Sequence, residues 1–349
     1  MVRAAKRSYF FDNLSDSSPA CMWKFLNTLG IGKTPPQSHS LPFSLCELNV
    51  HFAAAPSLSP MIKSRTILEI SSTAIHNPIP FSFSNISIAD TRKFLSSITS
   101  KAVGCDDVSR NMIFLILDVL LPIITHIINF SLLTGEFPCL WRKAFVIPLP
   151  KIANPSQLNN FRPISILPFL SKPLEAIVHK QLSDFILKCN GLSEFQSGFR
   201  PGHSTHTALL KVTEDIREGM ENRLLTFLVL VDFSNAFNMV DHDLLLALLR
   251  RLNFSSTTLK WFRSYLSGRQ QAVRFGQNSS GWCELSSGVP QGGILSPLLF
   301  SIFINSLSSL LCCSYHFYAD DLQIYAQAEA QSINNAITSI NNDLKSVAT

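Results

Sequence analysis

Apolar residues run almost unbroken through "LLTFLVLVDF", residues 224–233. That length and density suit a strand buried on both faces, with Asp232 delivered at its C-terminal end. Helical spacing shows in "KPLEAIVHKQLSDFILKC", where Leu174, Ile177, Val178, Leu182 and the Phe185–Ile186 pair form one stripe. "STHTALLKVTEDIREGM" predicts a second helix capped by Ser204 or Thr205, and "DHDLLLALLRRL" a third opening at Asp241 or Asp243. "GVPQGGILSPLLFSIFINSLSSLL" reads as a glycine turn feeding a helix, with Ser296 as N-cap and Pro297 at the first helical position. "KAFVIPLPK" reads as a strand closed by prolines, "SYHFYADDLQIYA" as a hairpin, and "AEAQSINNAITSINNDLKSV" as an amphipathic helix.

Upstream the pattern loosens. Residues 1–90 are rich in Ser and Pro, which predicts a poorly structured N-terminal extension with one helix near "ACMWKFLNTLG". The compact part is expected to begin at "SIADTRKFLSSI", with Asp90 as N-cap. "NMIFLILDVLLPIITHIINFSLL" has the length of a membrane span, but Asp118, Pro122, His126 and Asn129 interrupt it. An unpaired acid is expensive at mid-bilayer, so two buried helices separated or kinked at Pro122 are expected instead. No internal repeat is apparent.

Hydrophobic residues make up 46% of the 349 positions and charged ones 15%, which excludes a disordered tail or a charged linker. The eight cysteines form no C-x-x-C pair and no zinc spacing, so free, mostly buried thiols in a reducing compartment are expected. The N-terminus lacks the apolar core of a secretory signal. A net charge of +5 hides an uneven distribution. Positive charge concentrates in residues 142–211 and again in 244–283, a window with six Lys or Arg and no acid. Beside Trp261, Phe262, Tyr265 and Phe275, that second window suggests a surface for a phosphate backbone, a solvated basic face being the alternative.

Asp320 and Asp321 stand side by side between two apolar strands. Two such charges about 4 Å apart repel by roughly 1 kcal/mol in water and about 4 near a protein surface. A solvated turn would tolerate this; a divalent cation would turn it into attraction. If the strand ending in Asp232 lies beside the hairpin, three carboxylates meet at one sheet edge and cannot all stay ionised without cations. Mg²⁺ suits that donor set, and two ions about 3.5–4 Å apart can clamp the oxygens of a phosphoryl transfer. Side chains alternate faces along a strand, so Asp320 and Asp321 are not equivalent, and the direct metal role falls first to Asp320.

"VDFSNAF", "GVPQGGILSPLLF" and "YADD" resemble the three palm motifs of reverse transcriptases. "FRPISILPFLSKPLEAIVHKQL" and "QSGFRPGHSTHTALL" resemble the two fingers motifs of that family. "STHTALL", "SYLSGRQQAV" and "PQGGILSPLLF" narrow the resemblance to the LINE-type, jockey-like branch of non-LTR retrotransposons. It runs from about Lys101 to Tyr325 and implies an α+β right-hand polymerase: lead-in and fingers over 91–225, palm over 226–349, thumb absent. The reverse transcriptase domain itself would run from about 131 to 349.

The resemblance also implies roles. Asp232 and Asp320 would ligate two Mg²⁺ ions (Mn²⁺ as the alternative), Asp321 would assist, and the Phe233 carbonyl would complete a shell. Phe237 would exclude a 2′-hydroxyl, and Arg162 would hold the triphosphate with a guanidinium fork. Gln291 would contact the incoming nucleotide, and Gly292 would let the backbone approach closely. Arg200 and Lys151 would meet phosphate or template, solvated surface residues being the alternative. The implied partners are an RNA template, a DNA primer and dNTPs, with no membrane. Two positions depart from the family pattern. Asn238 stands where an aspartate is usual, keeping an acceptor but no charge, and "QGGILSP" replaces "QGSILGP". A non-catalytic nucleic-acid-binding remnant on the same fold is the second reading.

Overall fold

The computed structural model describes residues 22, 41–54, 58–72 and 79–348, and the described residues from Phe43 onward form one compact unit. The expected helix near "ACMWKFLNTLG" lies outside the described residues. Helices and a three-stranded β-sheet share the main apolar core, with a second, five-stranded sheet outside that cluster, a mixed architecture that agrees with the α+β expectation.

The segment before residue 90 departs from its expectation. Helix α1 (Leu45–Ala53) is closed by a reciprocal Ser44–Glu47 capping box and buries Leu48, Asn49 and Phe52. Helix α2 (Pro60–Ser72) buries nothing of its own, yet Lys63 reaches Asp241 at 2.9 Å and Asp243 at 2.6 Å. Helix α3 (Ile88–Ser97) starts one cap earlier than predicted: Ser87 is the N-cap, and Asp90 is its partner three residues on. Helices α4 (Arg110–Leu115) and α5 (Leu117–Thr134) break at Ile116, not at Pro122. The proline sits inside α5, where the carbonyl it leaves unpaired belongs to Asp118, an exposed residue of the first turn.

By length and composition α5 could cross a membrane. Its polar interruptions are used within the fold. Asn129 bonds both backbone groups of Ile86, at 2.9 and 3.0 Å, and Asp118 pairs with Arg92. Leu121, Ile124, Ile128 and Leu132 face the core. The described cysteines are free thiols but exposed or half-buried, not mostly buried as expected, because they fall at loops and element ends rather than on the apolar stripes.

Strands β1 (Lys143–Pro150) and β2 (Phe161–Ile166) form an antiparallel hairpin. Helix α6 (Ser171–Lys188) follows, burying the predicted Leu174, Ile177, Val178, Leu182 and Ile186. Next come α7 (Thr205–Glu221), capped by Ser204, strand β3 (Leu225–Asp232), and α8 (His242–Arg251), capped by Asp241. Helix α9 (Ser256–Leu266) and strand β4 (Arg269–Phe275) carry most of the basic window. Trp261, Phe262 and Tyr265 are fully buried, Trp261 stacking on Tyr265 at 5.5 Å with Phe137 edge-on to both. These rings are core, not a stacking surface: helical spacing turned them inward and left the charged positions outside.

Strands β5 (Asn278–Ser279) and β6 (Cys283–Leu285) complete a five-stranded sheet in which β4 pairs parallel with β1. That sheet takes strands from both sides of residue 226. Helix α10 (Ser296–Ile304), the hairpin β7 (Ser314–Tyr318) and β8 (Asp321–Ala328), and α11 (Ile333–Ala348) end the chain. The second sheet has the order β3–β8–β7. Strand β3 is therefore at an edge, with Leu228 42% and Leu230 70% exposed, not buried on both faces as its composition predicted. Its opposite face carries Phe227, Val229 and Val231 against the core, so only one face is covered.

Candidate active site

Strand pairing brings the acids together. Asp232 at the end of β3 is the register partner of Asp321 at the start of β8, and Asp320 sits in the turn just before it. Ala319, the other turn residue, adopts φ +56°, a left-handed conformation that a single non-glycine residue can hold at modest strain. The Asp321 carboxyl is held above the usual carboxylate range, by partial burial first and then by the charges of Asp320 and Asp232. None of the three carboxylates has an ion-pair partner among the described residues.

Asp232 and Asp320 line one cleft of about 210 Å³ together with Lys151, Arg162, Phe233, Phe237 and Gln291. Asp321 lies beside the cleft without lining it; the two acids are inequivalent as expected, but because Asp320 sits in the turn and Asp321 on the strand, not because strand neighbours alternate. The side chains of Arg162 and Lys151 are exposed and make no hydrogen bond or ion pair among the described residues. Uncommitted guanidinium and ammonium groups at one cleft with two carboxylates are the charges a nucleotide triphosphate and its cations require.

Phe237 stacks on Phe300 at 4.8 Å with the planes 13° apart, and Phe199 meets it edge-on at 6.1 Å. One ring is thus half in the core and half in the cleft, and the two neighbouring rings fix where it points. Gln291 is held through its backbone, its carbonyl accepting the Ser165 amide at 2.7 Å. Gly292, at φ +121°, lies outside the cleft lining, and the approach it permits is to β2: a Cβ there would sit 2.8 Å from the Ser165 carbonyl oxygen. Arg200 is also outside the cleft, donating to the carbonyls of Ser193 at 3.0 Å and Gln196 at 3.4 Å.

Among the described residues no group of three or more His, Cys, Asp or Glu is arranged to enclose a metal ion. The donor set fits a cation of a different kind. Two cleft carboxylates and a third beside them, none in an ion pair among the described residues, suit Mg²⁺, which takes a few carboxylate oxygens and fills its octahedron with water and substrate phosphate.

Two features of the site were not foreseen from the residues alone. Phe195–Gly198 lies against β7, with Ser197 N–H donating to the Phe317 carbonyl at 2.9 Å and Phe317 N–H to Phe195 at 2.8 Å. Glu175, fully buried, reaches the backbone of the glycine turn. Its signal was a lone acid inside an apolar stripe.

Asn238 has a structural task. Its amide donates to the Phe52 carbonyl at 3.1 Å, tying the turn after β3 to the end of α1. Asn238→Asp, which restores the usual charge of the resembling motif, would face that carbonyl with a carboxylate. It should weaken α1 docking by about 1–2 kcal/mol, read as faster amide exchange across residues 45–54. Unchanged exchange there would mean that the bond does not hold the helix.

The family described as "Reverse transcriptase (RNA-dependent DNA polymerase)" matches residues 150–348. The chain is 32% identical over 195 residues to the "Probable RNA-directed DNA polymerase from transposon BS" of Drosophila melanogaster, covering 56% of this chain and 21% of that protein. To the "RNA-directed DNA polymerase from mobile element jockey" of the same organism it is 30% identical over 226 residues, 64% of this chain and 25% of the relative. A third similar protein, the "Probable RNA-directed DNA polymerase from transposon X-element", is 31% identical over 186 residues, 53% of this chain and 20% of its own length. The chain thus spans about a fifth to a quarter of the length of these curated relatives.

Proposed function

The chain belongs to the reverse transcriptase family, and from that premise we propose that it carries the nucleotide-addition centre of an RNA-directed DNA polymerase of a jockey-like non-LTR retrotransposon. The observation that carries this reading is the single cleft in which Asp232 and Asp320 meet the uncommitted Arg162. In it the β3–β8–β7 sheet is the palm, and the β1–β2 hairpin with α6 and α7 belongs to the fingers.

The reaction is attack of a primer 3′-hydroxyl on the α-phosphate of a dNTP, chosen by an RNA template, with pyrophosphate leaving. Divalent cations, Mg²⁺ with Mn²⁺ as the alternative, would supply charge neutralisation on the phosphate oxygens and acidify the attacking hydroxyl. Asp232 and Asp320 would hold them, with the Phe233 carbonyl as a further donor and Asp321 adding charge at the rim. Arg162 binds the triphosphate through its planar fork, and Lys151 adds a second cation for phosphate or template. Phe237 fills the space a 2′-hydroxyl needs, which selects deoxynucleotides. Gln291 contacts the incoming nucleotide, and Gly292 acts through the turn that carries it. Arg200 serves by holding its own loop. The remnant reading gains no support from Asn238, whose amide is occupied in docking α1.

The test is extension of a DNA primer on an RNA template by the full chain. Incorporation should require Mg²⁺ and stop when the ion is chelated. No incorporation, or incorporation that survives chelation, would overturn the proposal.

A further inference from the structure

Helix α10 begins without a side-chain cap of its own: Leu295 occupies the cap position, and Ser296, expected to cap, is already the first helical residue. The two amides that lead into it, those of Ile294 and the cap residue Leu295, would be costly to leave unpaired in a largely buried turn. They are satisfied from 119 positions away in the sequence, where the Glu175 carboxylate on α6 accepts the Ile294 N–H at 2.8 Å. The same oxygen takes the Leu295 N–H at 3.3 Å. The contact is tight enough that a Cβ on Gly293 would lie 3.0 Å from that oxygen.

A fully buried carboxylate is expensive, and this one is not neutralised by a direct ion pair. Burial pushes its carboxyl up, while the nearby Arg269 charge and the two amides pull it down. Arg269 is itself 2% exposed and donates to the Tyr265 carbonyl at 2.9 Å. Beyond the clamp, Glu175 Oε1, an Arg269 guanidinium nitrogen, the Tyr265 hydroxyl and the Ser296 hydroxyl find no partner at good hydrogen-bond geometry among the described residues, although Tyr265 lies close to both Glu175 and Ser296. A polar group this costly, spent on two amides of one turn, marks a position where placement matters more than stability. That turn is the one bearing Gln291, which is held on its other side by the Ser165 amide.

We propose that Glu175 is a positioning residue for nucleotide addition: its buried carboxylate clamps the 290–295 turn, so that Gln291 faces the cleft of Asp232 and Asp320. This rests on the nucleotide role given to Gln291 above. What the clamp needs is reach and an acceptor oxygen, not charge as such. Gln at 175 keeps both, whereas Asp keeps the charge and withdraws it by one methylene.

The test compares the full chain with Glu175→Gln and Glu175→Asp, reading amide exchange at Ile294 and Leu295 and the dNTP KM and kcat of primer extension. Glu175→Asp should lose about tenfold in protection at those amides and raise KM about tenfold with kcat little changed, the loss of a hydrogen bond to a charged acceptor. Glu175→Gln should stay within about threefold of the parent in both. Asp outperforming Gln would overturn the clamp, as would lost protection with KM unmoved in an active parent. If the parent extends no primer, the functional reading fails while exchange alone decides the clamp: protection retained in Glu175→Asp overturns it. If neither variant folds, the parent decides: Ile294 and Leu295 amides that exchange as fast as those of an exposed turn overturn it.

Discussion

Asp320→Ala and Asp232→Ala should each abolish nucleotide addition, by at least about 10³-fold in kcat or roughly 4 kcal/mol, while the folded chain stays as stable as the parent. The two halves of this expectation have separate causes. Activity falls because each carboxylate lines the cleft and no other protein acid there can replace it: Asp321 stands outside the lining. Asp321→Ala should therefore lose less than either. Stability is spared because none of the three acids makes an ion pair, so nothing is left unpaired when one is removed.

The pH dependence follows from the sign of the Asp321 shift. Its carboxyl titrates higher in the folded chain than in the unfolded one. Its contribution to stability is thus fully present below the unfolded value and lost as pH rises through the folded one. Removing the Asp320 charge weakens that penalty, so the melting temperature of Asp320→Ala should match or slightly exceed the parent at neutral pH. The difference should vanish once the carboxylates are protonated. Primer extension and thermal melts at the two pH values check both halves. A melt several degrees lower would assign Asp320 to the scaffold instead.

What the sequence disclosed was local. The hairpin around "YADD", the stripe of α6 and the Ser204 cap were legible because neighbours in the chain decide them. The meeting of Asp232 with the hairpin was legible too, since a strand and a hairpin carrying acids at matching ends have few ways to share a sheet. What escaped depended on distant partners. Apolar density cannot tell whether a second layer covers a strand, and on β3 none covers Leu230. Ser296 is a good cap residue by type, but the helix starts one residue earlier, at a Leu295 cap whose amide is taken by Glu175 from a distant helix. The rings beside the basic window escaped because residues were counted along the chain, whereas the helix sorted Trp261 and Tyr265 inward. In the N-terminal segment the Ser44–Glu47 capping box was a readable helix start, but Ser and Pro composition outweighed a short signal.

Gly198→Ala should be the most damaging single methyl in the described fold, lowering stability by about 2–3 kcal/mol and extinguishing primer extension with it. A Cβ at Gly198 would stand 2.0 Å from the Ala319 nitrogen, 2.6 Å from its Cα and 3.1 Å from the Tyr318 carbonyl carbon. These are backbone atoms, so no side-chain rotation relieves the clash. One of the two segments must move. The 195–198 segment is bonded to β7 at Phe317 in both directions, so the strain passes into the turn holding Ala319 at φ +56°. Asp320 is the next residue, and a shift of even about 1 Å there can cost catalysis about 10²-fold. At roughly 2–4 °C per kcal/mol the melting temperature should fall by about 4–12 °C. Gly281→Ala is the control, because a Cβ there meets nothing within 4 Å, and it should melt within about 0.5 kcal/mol of the parent. If Gly198→Ala melts and extends primers like that control, the catalytic turn is not held from the 195–198 side, and the geometry of Asp320 must be set by β3 and β8 alone.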